Sequence, residues 1–326
     1  MPYYVGVDLG ATNLRAAVAN EEGDILHTTR RKTPTGPSGI AVTEAVLDAV
    51  RAACDAAEID PTDVRAAGIG SIGPLDLADG SVTGPANLPD AIGRIPLVGP
   101  LRELIASEHV HLHNDTISGV IGERYYSDRN PDDMAYLTIS SGIGAGVAVD
   151  GHVLSGWDGN AGEVGHLVVD PAGRRTCGCG RDGHWEAYCS GNNIPRYARQ
   201  LADERDPDTD LPLNDDAFSA KDVFEHADTD DFANHVVGRL ADWNTIGITN
   251  LAQAYAPLVV YVGGAVALNN PELVLDPVRE RLDDTVFNNV PDLRLTTLGD
   301  DVVLKGAVAS ALTRGTGDST VSPTTG

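Results

Sequence analysis

The chain has 326 residues, of which 48 are acidic and 23 basic, so its formal net charge is −25. A surface this negative repels nucleic acid, because binding to nucleic acid depends on lysine and arginine contacts to phosphate groups. The sequence contains no run of 18 or more apolar residues, which argues against a helix that spans a membrane.

The cysteine count and the first residues indicate a compartment. Four cysteines are too few for a disulfide scaffold and fit a reducing environment. The opening MPYYVGVDLG has neither the basic region nor the cleavage site of a secretory signal. We therefore expect a cytoplasmic protein built as one large domain or two lobes.

The N-terminal part alternates strands and helices. Residues 3–31 predict a β-meander, with turns at Gly-Ala-Thr-Asn and at Glu-Glu-Gly-Asp. Apolar spacing predicts a helix over 38–57, and a buried strand that ends in glycines follows over 64–73. A short strand over 109–115 precedes a helix over 116–126.

The C-terminal part continues the α/β pattern. Residues 134–154 predict strands around a glycine-rich turn, and 230–255 predict a long amphipathic helix. The segment 203–231 holds twelve acidic residues against one Arg and one Lys, so we expect a solvated insertion or lid edge. A buried strand runs to Gly263 and Gly264, and the polar segment 315–326 is expected to be a disordered tail. In an α/β protein with glycines at the strand ends, the site lies at those ends.

Two glycine-rich turns are candidates for phosphate binding. In GVDLGATNLR, Gly10 allows close backbone approach, and Thr12 and Asn13 offer polar groups beside backbone N–H donors. Asp8, at the end of the preceding strand, can hold Mg²⁺ through water. The alternative for this segment is an ordinary hairpin turn.

The second turn, ISSGIGAG at residues 139–146, offers the same chemistry through Ser141, Gly142 and Gly144. It matches neither the P-loop nor the dinucleotide-binding fingerprint. Two such turns suggest a nucleotide held from two sides. The pair Gly263 and Gly264 ends a strand and can admit an adenosine.

Polar residues that follow other strands are candidates for acid–base work and sugar binding. Asn114 can hydrogen-bond a hydroxyl group and Asp115 can accept its proton, although Asp115 is equally suited to cap the following helix. Asn87 lies on a proline-bounded loop, where it faces a ligand or closes a turn. Glu163 and Glu186 can each grip sugar hydroxyls, although a solvated glutamate is the commoner outcome.

Four sulfur and imidazole ligands follow one another in GHLVVDPAGRRTCGCGRDGHWE, residues 165–186. His166, Cys177, Cys179 and His184 would complete a tetrahedral zinc site. The alternative is that the Cys-x-Cys pair consists of two small residues in a turn.

Taken in order, these motifs resemble those of the ROK family (repressors, open reading frames and sugar kinases), and most closely its glucokinase and hexokinase branch. The resemblance runs from about Val5 to about Ala311 and is carried by GVDLGATNLRAAV, GIGSIGPLD, GPANLP, NDTISGVIGE, SSGIGAGV, AGEVGH, CGCGRDGHWEAYCSG and VGGAV. It implies an α/β protein with the two-lobe, actin-like ATPase (ribonuclease H-like) fold and a zinc-binding loop. On this pattern ATP and a sugar bind in the cleft between the lobes.

The resemblance also implies a role for each candidate residue. Asp115 would be the general base that takes the proton of a sugar 6-hydroxyl, and His166 would touch both zinc and sugar. The implied sugar contacts are Asn87, Asn114, Asp115, Glu163, His166 and Glu186. The implied nucleotide and Mg²⁺ contacts are Asp8, Gly10, Thr12, Asn13, Ser141, Gly142, Gly144, Gly263 and Gly264. The implied zinc ligands are His166, Cys177, Cys179 and His184.

The chain departs from the family pattern at four places. His184 stands where the family usually has a third cysteine, and zinc accepts imidazole as readily as thiolate, so we expect a site of two histidines and two cysteines. Ala11 replaces a turn glycine. Ser140-Ser141-Gly142 replaces Gly-Thr-Gly, and SIGP replaces the more usual Ser-Pro-Gly-Pro.

The expected lobes are residues 1–114 with 301–314, and residues 115–300. The leading function is ATP-dependent phosphorylation of glucose with Mg²⁺ by a cytoplasmic homo-oligomer, a dimer or tetramer. Another hexose remains an alternative substrate: N-acetylglucosamine, N-acetylmannosamine or fructose. A sugar-sensing protein without catalysis is a further alternative. A transcriptional repressor of this family is disfavoured, because its helix-turn-helix domain would precede the first strand and because the acidity opposes DNA.

The charge balance yields a prediction about salt. Because counterions screen repulsion between acidic groups, with a Debye length of about 3 Å at 1 M, we expect a protein from a high-salt cytoplasm. Its melting temperature should rise between low and multimolar KCl. An unchanged or lower melting temperature in KCl would instead indicate an ordinary acidic protein.

Overall fold

The computed structural model describes residues 2–85, 88–89, 92–127, 129 and 131–321. The chain forms two compact units. Unit 1 comprises Met1–Asp132, Gly146–Gly162 and Thr297–Gly326, and unit 2 comprises Asp133–Ala145 and Glu163–Thr296. The segment 115–132 and the C-terminal helical segment 302–313 both belong to unit 1.

The described residues contain the following helices and strands. The strands are β1 (Tyr3–Leu9), β2 (Asn13–Ala19), β3 (Ile25–Lys32), β4 (Val64–Ser71), β5 (Leu75–Asp76), β6 (Ser81–Thr83), β7 (Arg94–Pro96), β8 (Val110–Asn114), β9 (Met134–Ile139), β10 (Ile143–Val149), β11 (His152–Val153), β12 (Val259–Gly263) and β13 (Asp292–Leu295). The helices are α1 (Gly39–Ala56), α2 (Val98–Ile105), α3 (Asp115–Tyr126), α4 (Glu186–Cys189), α5 (Ile194–Arg205), α6 (Ala220–Glu225), α7 (Asp231–Tyr255), α8 (Ala265–Asn269), α9 (Pro271–Thr285) and α10 (Val302–Thr313).

The main sheet of unit 1 has the strand order β3-β2-β1-β4-β8. The first three strands are antiparallel neighbours, which confirms the predicted meander. Strands β1, β4 and β8 run parallel, and Leu9 pairs with Ser71, which pairs in turn with Asn114. The carboxyl ends of these three strands therefore lie at one edge of the sheet.

Both faces of this sheet are covered. Along β1, Val5 and Val7 belong to the core shared with α1, whereas Tyr4 packs with Leu304 and Val308 of α10. This alternation is what the period of two along a strand produces when both faces are buried.

Glycines allow α10 to lie directly against its neighbours. A Cβ atom at Gly306 would come within 1.8 Å of the backbone oxygen of Ser118 in α3, and one at Gly68 within 2.0 Å of the Ala307 oxygen. Any side chain at these positions would separate the backbones. The contact brings α10 onto the helix that begins at Asp115.

The second sheet has the order β11-β10-β9-β12-β13, and β12 runs parallel to both β9 and β13. The long helix α7 matches the prediction for 230–255. It anchors the segment of the candidate metal ligands, because the buried Trp185 donates a hydrogen bond from Nε1 to Oδ1 of Asn244 at 2.9 Å. Within 203–231, the expected solvated insertion, α6 forms, and Arg199 of α5 donates to the Leu213 and Asp215 oxygens.

The C-terminal segment is more ordered than its composition predicts. Arg124, whose side chain is 2% exposed, donates from Nη1 to the Thr316 oxygen at 2.9 Å. The Gly315 amide donates to the Ser310 oxygen at 2.8 Å. The predicted disorder therefore does not extend over 315–321, and 322–326 lie outside the described residues.

The contact between α10 and α3 predicts the effect of two helical substitutions. Gly306→Ala should lower the free energy of unfolding by about 2 kcal/mol, since the added methyl group overlaps the Ser118 carbonyl. Gly238→Ala in α7 is the matched control, because no atom lies within 4 Å of its Cβ position and alanine favours a helix by up to about 1 kcal/mol over glycine. Calorimetry on both variants tests this, and a Gly306→Ala protein as stable as the parent would contradict it.

Candidate active site

Two acidic residues lie at the same edge of the unit 1 sheet. Asp8 precedes Leu9 at the end of β1, and Asp115 follows Asn114 at the end of β8. One strand, β4, separates these two strands, so their ends are about 10 Å apart at the usual strand spacing. Sequence-distant carboxylates thus come to one edge, as expected for the ends of parallel strands.

The turn after β1, residues 10–13, is held by backbone and side-chain hydrogen bonds, and the Thr12 side chain at its tip is accessible. The Gly10 amide donates to the Asn13 oxygen at 3.0 Å. From β3 onward, Thr33 donates its hydroxyl to the Gly10 oxygen at 2.7 Å and its amide to the Thr12 oxygen at 3.0 Å. The Thr12 side chain stays exposed. The turn therefore presents a hydroxyl group on a fixed backbone, as phosphate binding requires.

Arg15 is a site residue that the sequence reasoning missed. It donates from Nε and Nη2 to Oδ2 of Asp8, at 2.9 and 2.7 Å. It also donates to Oδ1 of Asp301 and to the Asp300 oxygen, both at 2.6 Å. Burial raises the pKa of Asp8, while the Arg15 charge opposes that rise. A signal was available, because a tight hairpin at Gly10–Asn13 makes Asp8 and Arg15 direct cross-strand partners.

The capping of α3 falls to Asn114 and not to Asp115. The Asn114 Oδ1 atom accepts hydrogen bonds from the Thr116 amide at 3.0 Å and from its hydroxyl at 2.9 Å. Asp115 is the first residue of the helix, half-buried, and its Oδ1 accepts from the same amide at 2.8 Å. The carboxylate therefore lies in the first turn of α3, at the positive end of the helix dipole.

The segment 166–186 is folded by contacts of its own. Backbone bridges pair Val168 with His184 and Thr176 with Asp182. Asp170, 2% exposed, accepts from Nε of Arg174 at 2.9 Å and from the Tyr188 hydroxyl at 2.6 Å. The hydrogen bonds from Arg174 hold the pKa of this carboxyl far below its usual range. The buried Asp170 carboxylate, paired with the exposed Arg174, thus holds the loop through contacts of its own.

This loop brings the four predicted metal ligands together. One ligand atom from each of His166, Cys177, Cys179 and His184 can be chosen so that all lie within 4.8 Å of one another. The two Nδ1 atoms are 3.3 Å apart, Cys177 Sγ is 3.7 Å from Nδ1 of His166, and Cys179 Sγ is 3.3 Å from Nδ1 of His184. Tetrahedral zinc bonds predict about 3.3 Å between nitrogens and about 3.6 Å between nitrogen and sulfur. The donor set and its spacing fit a tetrahedral zinc ion.

The Cys177 thiol would have to lose its proton to bind a metal. Burial raises its pKa to about 11. A metal ion ionises a coordinating thiol outright, so zinc binding at this cluster would release the Cys177 proton.

Two glutamates lie beside this cluster. The Nε2 atom of His166, on the opposite side of the ring from Nδ1, is 3.7 Å from Oε2 of Glu163. Glu186 accepts from the Ile143 amide at 2.9 Å, and its Oε1 is 3.8 Å from Cys177 Sγ. Burial raises the pKa of Glu163, His166 lowers it and Glu186 adds to the rise. The structure thus brings together Glu163, His166 and Glu186, three of the predicted sugar contacts.

The second glycine turn lies in unit 2 next to the glycine pair. The Gly191 amide donates to the Ser140 oxygen at 2.7 Å, Ser141 is exposed, and Gly144 lies in β10. A Cβ atom at Gly142 would come within 2.8 Å of Glu186 Oε2. This links the turn to the carboxylates beside the metal cluster.

The glycine pair at the end of β12 has a structural requirement of its own. Gly264 has φ +88°, and a Cβ there would lie 2.5 Å from the Ile139 oxygen. At Gly263 a Cβ would lie 2.5 Å from the Tyr136 hydroxyl. Packing against the Ile139 backbone and the Tyr136 side chain thus explains both glycines without a ligand. The remaining predicted contact, Asn87, lies outside the described residues.

Comparison with known proteins identifies the family. The ROK family model matches residues 4–314. The chain belongs to the ROK family. Among curated relatives, the glucokinase of Pyrobaculum calidifontis is 36% identical over 311 residues, covering 95% of each chain. The glucokinase of Aeropyrum pernix is 36% identical over 323 residues, covering 95% of this chain and 97% of its own.

Solved structures agree with this assignment to the ROK family. The ROK hexokinase from Thermus thermophilus is 31% identical with a TM-score of 0.77, covering 95% of this chain and 97% of that one. A ROK glucokinase from Streptomyces griseus, solved with glucose and AMPPNP, is 30% identical with a TM-score of 0.74, covering 95% and 99%. Among the described residues, no helix is long and apolar enough to cross a membrane.

Proposed function

We propose that this protein catalyses the ATP-dependent phosphorylation of glucose at its 6-hydroxyl. The observation that carries the proposal is the half-buried carboxylate of Asp115 at the start of α3, on the same sheet edge as the turn after Asp8. Relatives over nearly the whole chain are glucokinases, and one related structure holds glucose and an ATP analogue. Fold, side-chain chemistry and relatives support the same reaction.

Asp115 would act as the general base. Its carboxylate accepts the proton of the 6-hydroxyl while the oxygen attacks the γ-phosphorus and the bond to ADP breaks. Asn114 holds the helix start through Thr116, which fixes the direction of the neighbouring carboxylate. Positioning and charge neutralisation supply most of the rate in such a transfer.

The nucleotide phosphates would bind at the two turns. Gly10, Thr12 and Asn13 belong to the first turn, and Ser141, Gly142 and Gly144 would serve in the second, with Gly263 and Gly264 near the adenosine. Mg²⁺, when bound, neutralises charge on the transferred phosphate. Asp8 would hold it through water on Oδ1, because Oδ2 is the atom that Arg15 engages.

The sugar would be held by Asn87, Asn114, Glu163, His166 and Glu186. Carboxylates accept paired hydrogen bonds from neighbouring hydroxyls. His166 would use Nδ1 for zinc and Nε2 for the sugar side, which is supported by the opposite placement of these atoms relative to the cluster and Glu163. Zinc at His166, Cys177, Cys179 and His184 would thus brace the sugar-binding residues.

A second candidate substrate is N-acetylmannosamine. A kinase of that name from Escherichia coli is 30% identical over 312 residues, covering 94% of this chain and 98% of its own. Glucose is favoured because two glucokinase relatives are more similar, at 36%. We also infer a cytoplasmic homo-oligomer adapted to high salt, on the basis of the family resemblance and the net charge of −25.

A coupled assay of ADP release tests the substrate. With Mg-ATP and a panel of hexoses in multimolar KCl, turnover should be highest with glucose. Preference for N-acetylmannosamine, N-acetylglucosamine or fructose would reassign the substrate. Absence of turnover with every sugar, in a protein that still binds glucose, would favour a sensor.

Replacement of the base gives a second prediction. Asp115→Asn should fold normally and lose at least about 100-fold in kcat, since a general base contributes 10²–10⁴-fold. Asp55→Asn, a change of the same charge at an exposed position of α1, should leave kcat unchanged. Near-normal turnover of Asp115→Asn would remove this residue from the mechanism.

Metal analysis tests the zinc site. The purified protein should carry about one zinc per chain, His184→Ala should lose it, and His184→Cys should retain it because zinc accepts either ligand. His152→Ala, at an exposed histidine outside the cluster, is the control. Less than about half a zinc per chain, with full activity, would show that the loop acts without metal.

A further inference from the structure

Unit 2 contains a cavity that the proposed reaction does not use. Its volume is about 290 Å³. It opens between α5, α7 and the segment 166–186, which carries the predicted zinc ligands and is called the zinc loop below. The lining residues of the cavity are Arg174, Tyr188, Tyr197, Gln200, Leu201, Glu204, Arg205, His235, Arg239 and Trp243. We call it the arginine pocket.

Arginine side chains are concentrated in this pocket. Acidic residues outnumber basic ones by 48 to 23 in the chain, yet three arginines and one glutamate, Glu204, line the pocket. The three guanidinium groups come from different elements: Arg174 from the zinc loop, Arg205 from the end of α5 and Arg239 from α7. Donors suited to an anion are therefore gathered in one cavity of an acidic protein.

Two of these arginines have acidic partners and one does not. Arg174 pairs with Asp170 through Nε at 2.9 Å, and Arg239 pairs with Asp242 through Nη1 at 2.6 Å. Asp242 is shared with Arg281 at 2.9 Å. Among the described residues the Arg205 side chain has no ion pair or hydrogen bond, and the Glu204 Oε1 atom accepts from Gln200 instead. Arg205 thus keeps its donor atoms for a ligand, and Glu204 places one carboxylate in the same pocket.

The wall of the pocket orients the other guanidinium groups. The guanidinium groups of Arg174 and Arg239 both lie over the Trp243 ring. Their central carbons are 5.7 and 5.4 Å from the ring centroid. The Trp243 Nε1 donates to the Tyr197 hydroxyl at 3.0 Å. Stacking of this kind holds a guanidinium in one plane at modest energetic cost. Donor atoms of Arg174 and Arg239 beyond those used by the aspartates remain for a ligand.

His235 reports the same electrostatic environment. Burial lowers its pKa, and the positive charges of Arg205 and Arg239 lower it further. A neutral imidazole in this place can still donate one hydrogen bond. His235 therefore adds one donor to those of the three arginines that line the pocket.

We propose that the arginine pocket binds the dianion of a phosphate monoester with a sugar-sized organic group. Guanidinium groups bind phosphate oxygens with charge-assisted, often bidentate hydrogen bonds, and three of them from different directions match a tetrahedral group with several acceptor oxygens. The volume exceeds what phosphate alone fills. The remaining space, beside Tyr197 and Leu201, accommodates the organic part.

Binding here would act on the zinc loop. Arg174 lies between His166 and Cys177 in the chain and is the partner of the buried Asp170. A ligand that holds Arg174 from the pocket side therefore stabilises the segment that carries the metal ligands. It should raise the melting temperature of the protein in proportion to its occupancy.

Isothermal titration calorimetry with glucose 6-phosphate tests the proposal. Glucose 6-phosphate is chosen because it is the product of the proposed reaction, so this choice rests on the proposed function. Glycerol 3-phosphate is the second probe, and its choice does not depend on that function. Titrations use saturating glucose and AMPPNP to fill the catalytic site, at one KCl concentration at which circular dichroism shows every variant folded. Arg205→Gln should weaken binding at least about tenfold, the loss of one charged hydrogen bond.

Arg196→Gln is the matched control, because Arg196 lies exposed on the same helix α5 but does not line the pocket. It should bind the ester within about twofold of the parent. The proposal is overturned if neither ester binds below about 10 mM, or if Arg205→Gln binds as the parent does. If citrate binds in a way that depends on Arg205 and neither phosphate ester binds, the assignment of a phosphate ester as the ligand is overturned. Failure of the hexose assay would leave this binding result unaffected.

Discussion

The parallel register of β1, β4 and β8 is the constraint on which the chemistry of unit 1 depends. Leu9, Ser71 and Asn114 lie side by side, so the residues next to them come to one edge of the sheet. Asp8 and Asp115 are more than a hundred residues apart in the chain. They lie at the same edge of the sheet because the parallel strands end together. A shift of β8 by one residue would turn Asn114 to the other face.

Close backbone contact makes that register possible. The buried sheet has a helix on each face, and α10 approaches α3 and β4 at positions where only hydrogen atoms separate the chains. The last helix of the chain therefore holds the element that begins with the proposed base. Arg124 extends this arrangement by fixing the segment after α10. These contacts both stabilise unit 1 and hold the helix that carries the proposed base.

In unit 2, the corresponding constraint is the set of contacts that hold the segment 166–186 in one conformation. Trp185 fixes one end of the loop on α7, and Asp170 neutralises Arg174 inside it. These contacts bring two imidazoles and two sulfurs to the separations of a tetrahedron. The same loop supplies one wall of the arginine pocket, so its two sides have different chemistry: soft ligands face one and a guanidinium the other.

The sequence by itself determined the meander, the long helix α7, the cluster of four candidate metal ligands and the ROK family, because each depends on local periodicity, turn residues or a short ordered motif. Only the tertiary structure decided that Asn114 caps α3, that Arg15 binds Asp8 together with Asp300 and Asp301, and that 115–132 belongs to unit 1. It also corrected the tail at 315–321. These features depend on residues far apart in the chain. The need for glycine at positions 68 and 306 likewise becomes clear only from the distant backbone atoms that each one faces. Local composition determines what a segment can form, but partners from distant segments determine which of its polar groups remain available for chemistry.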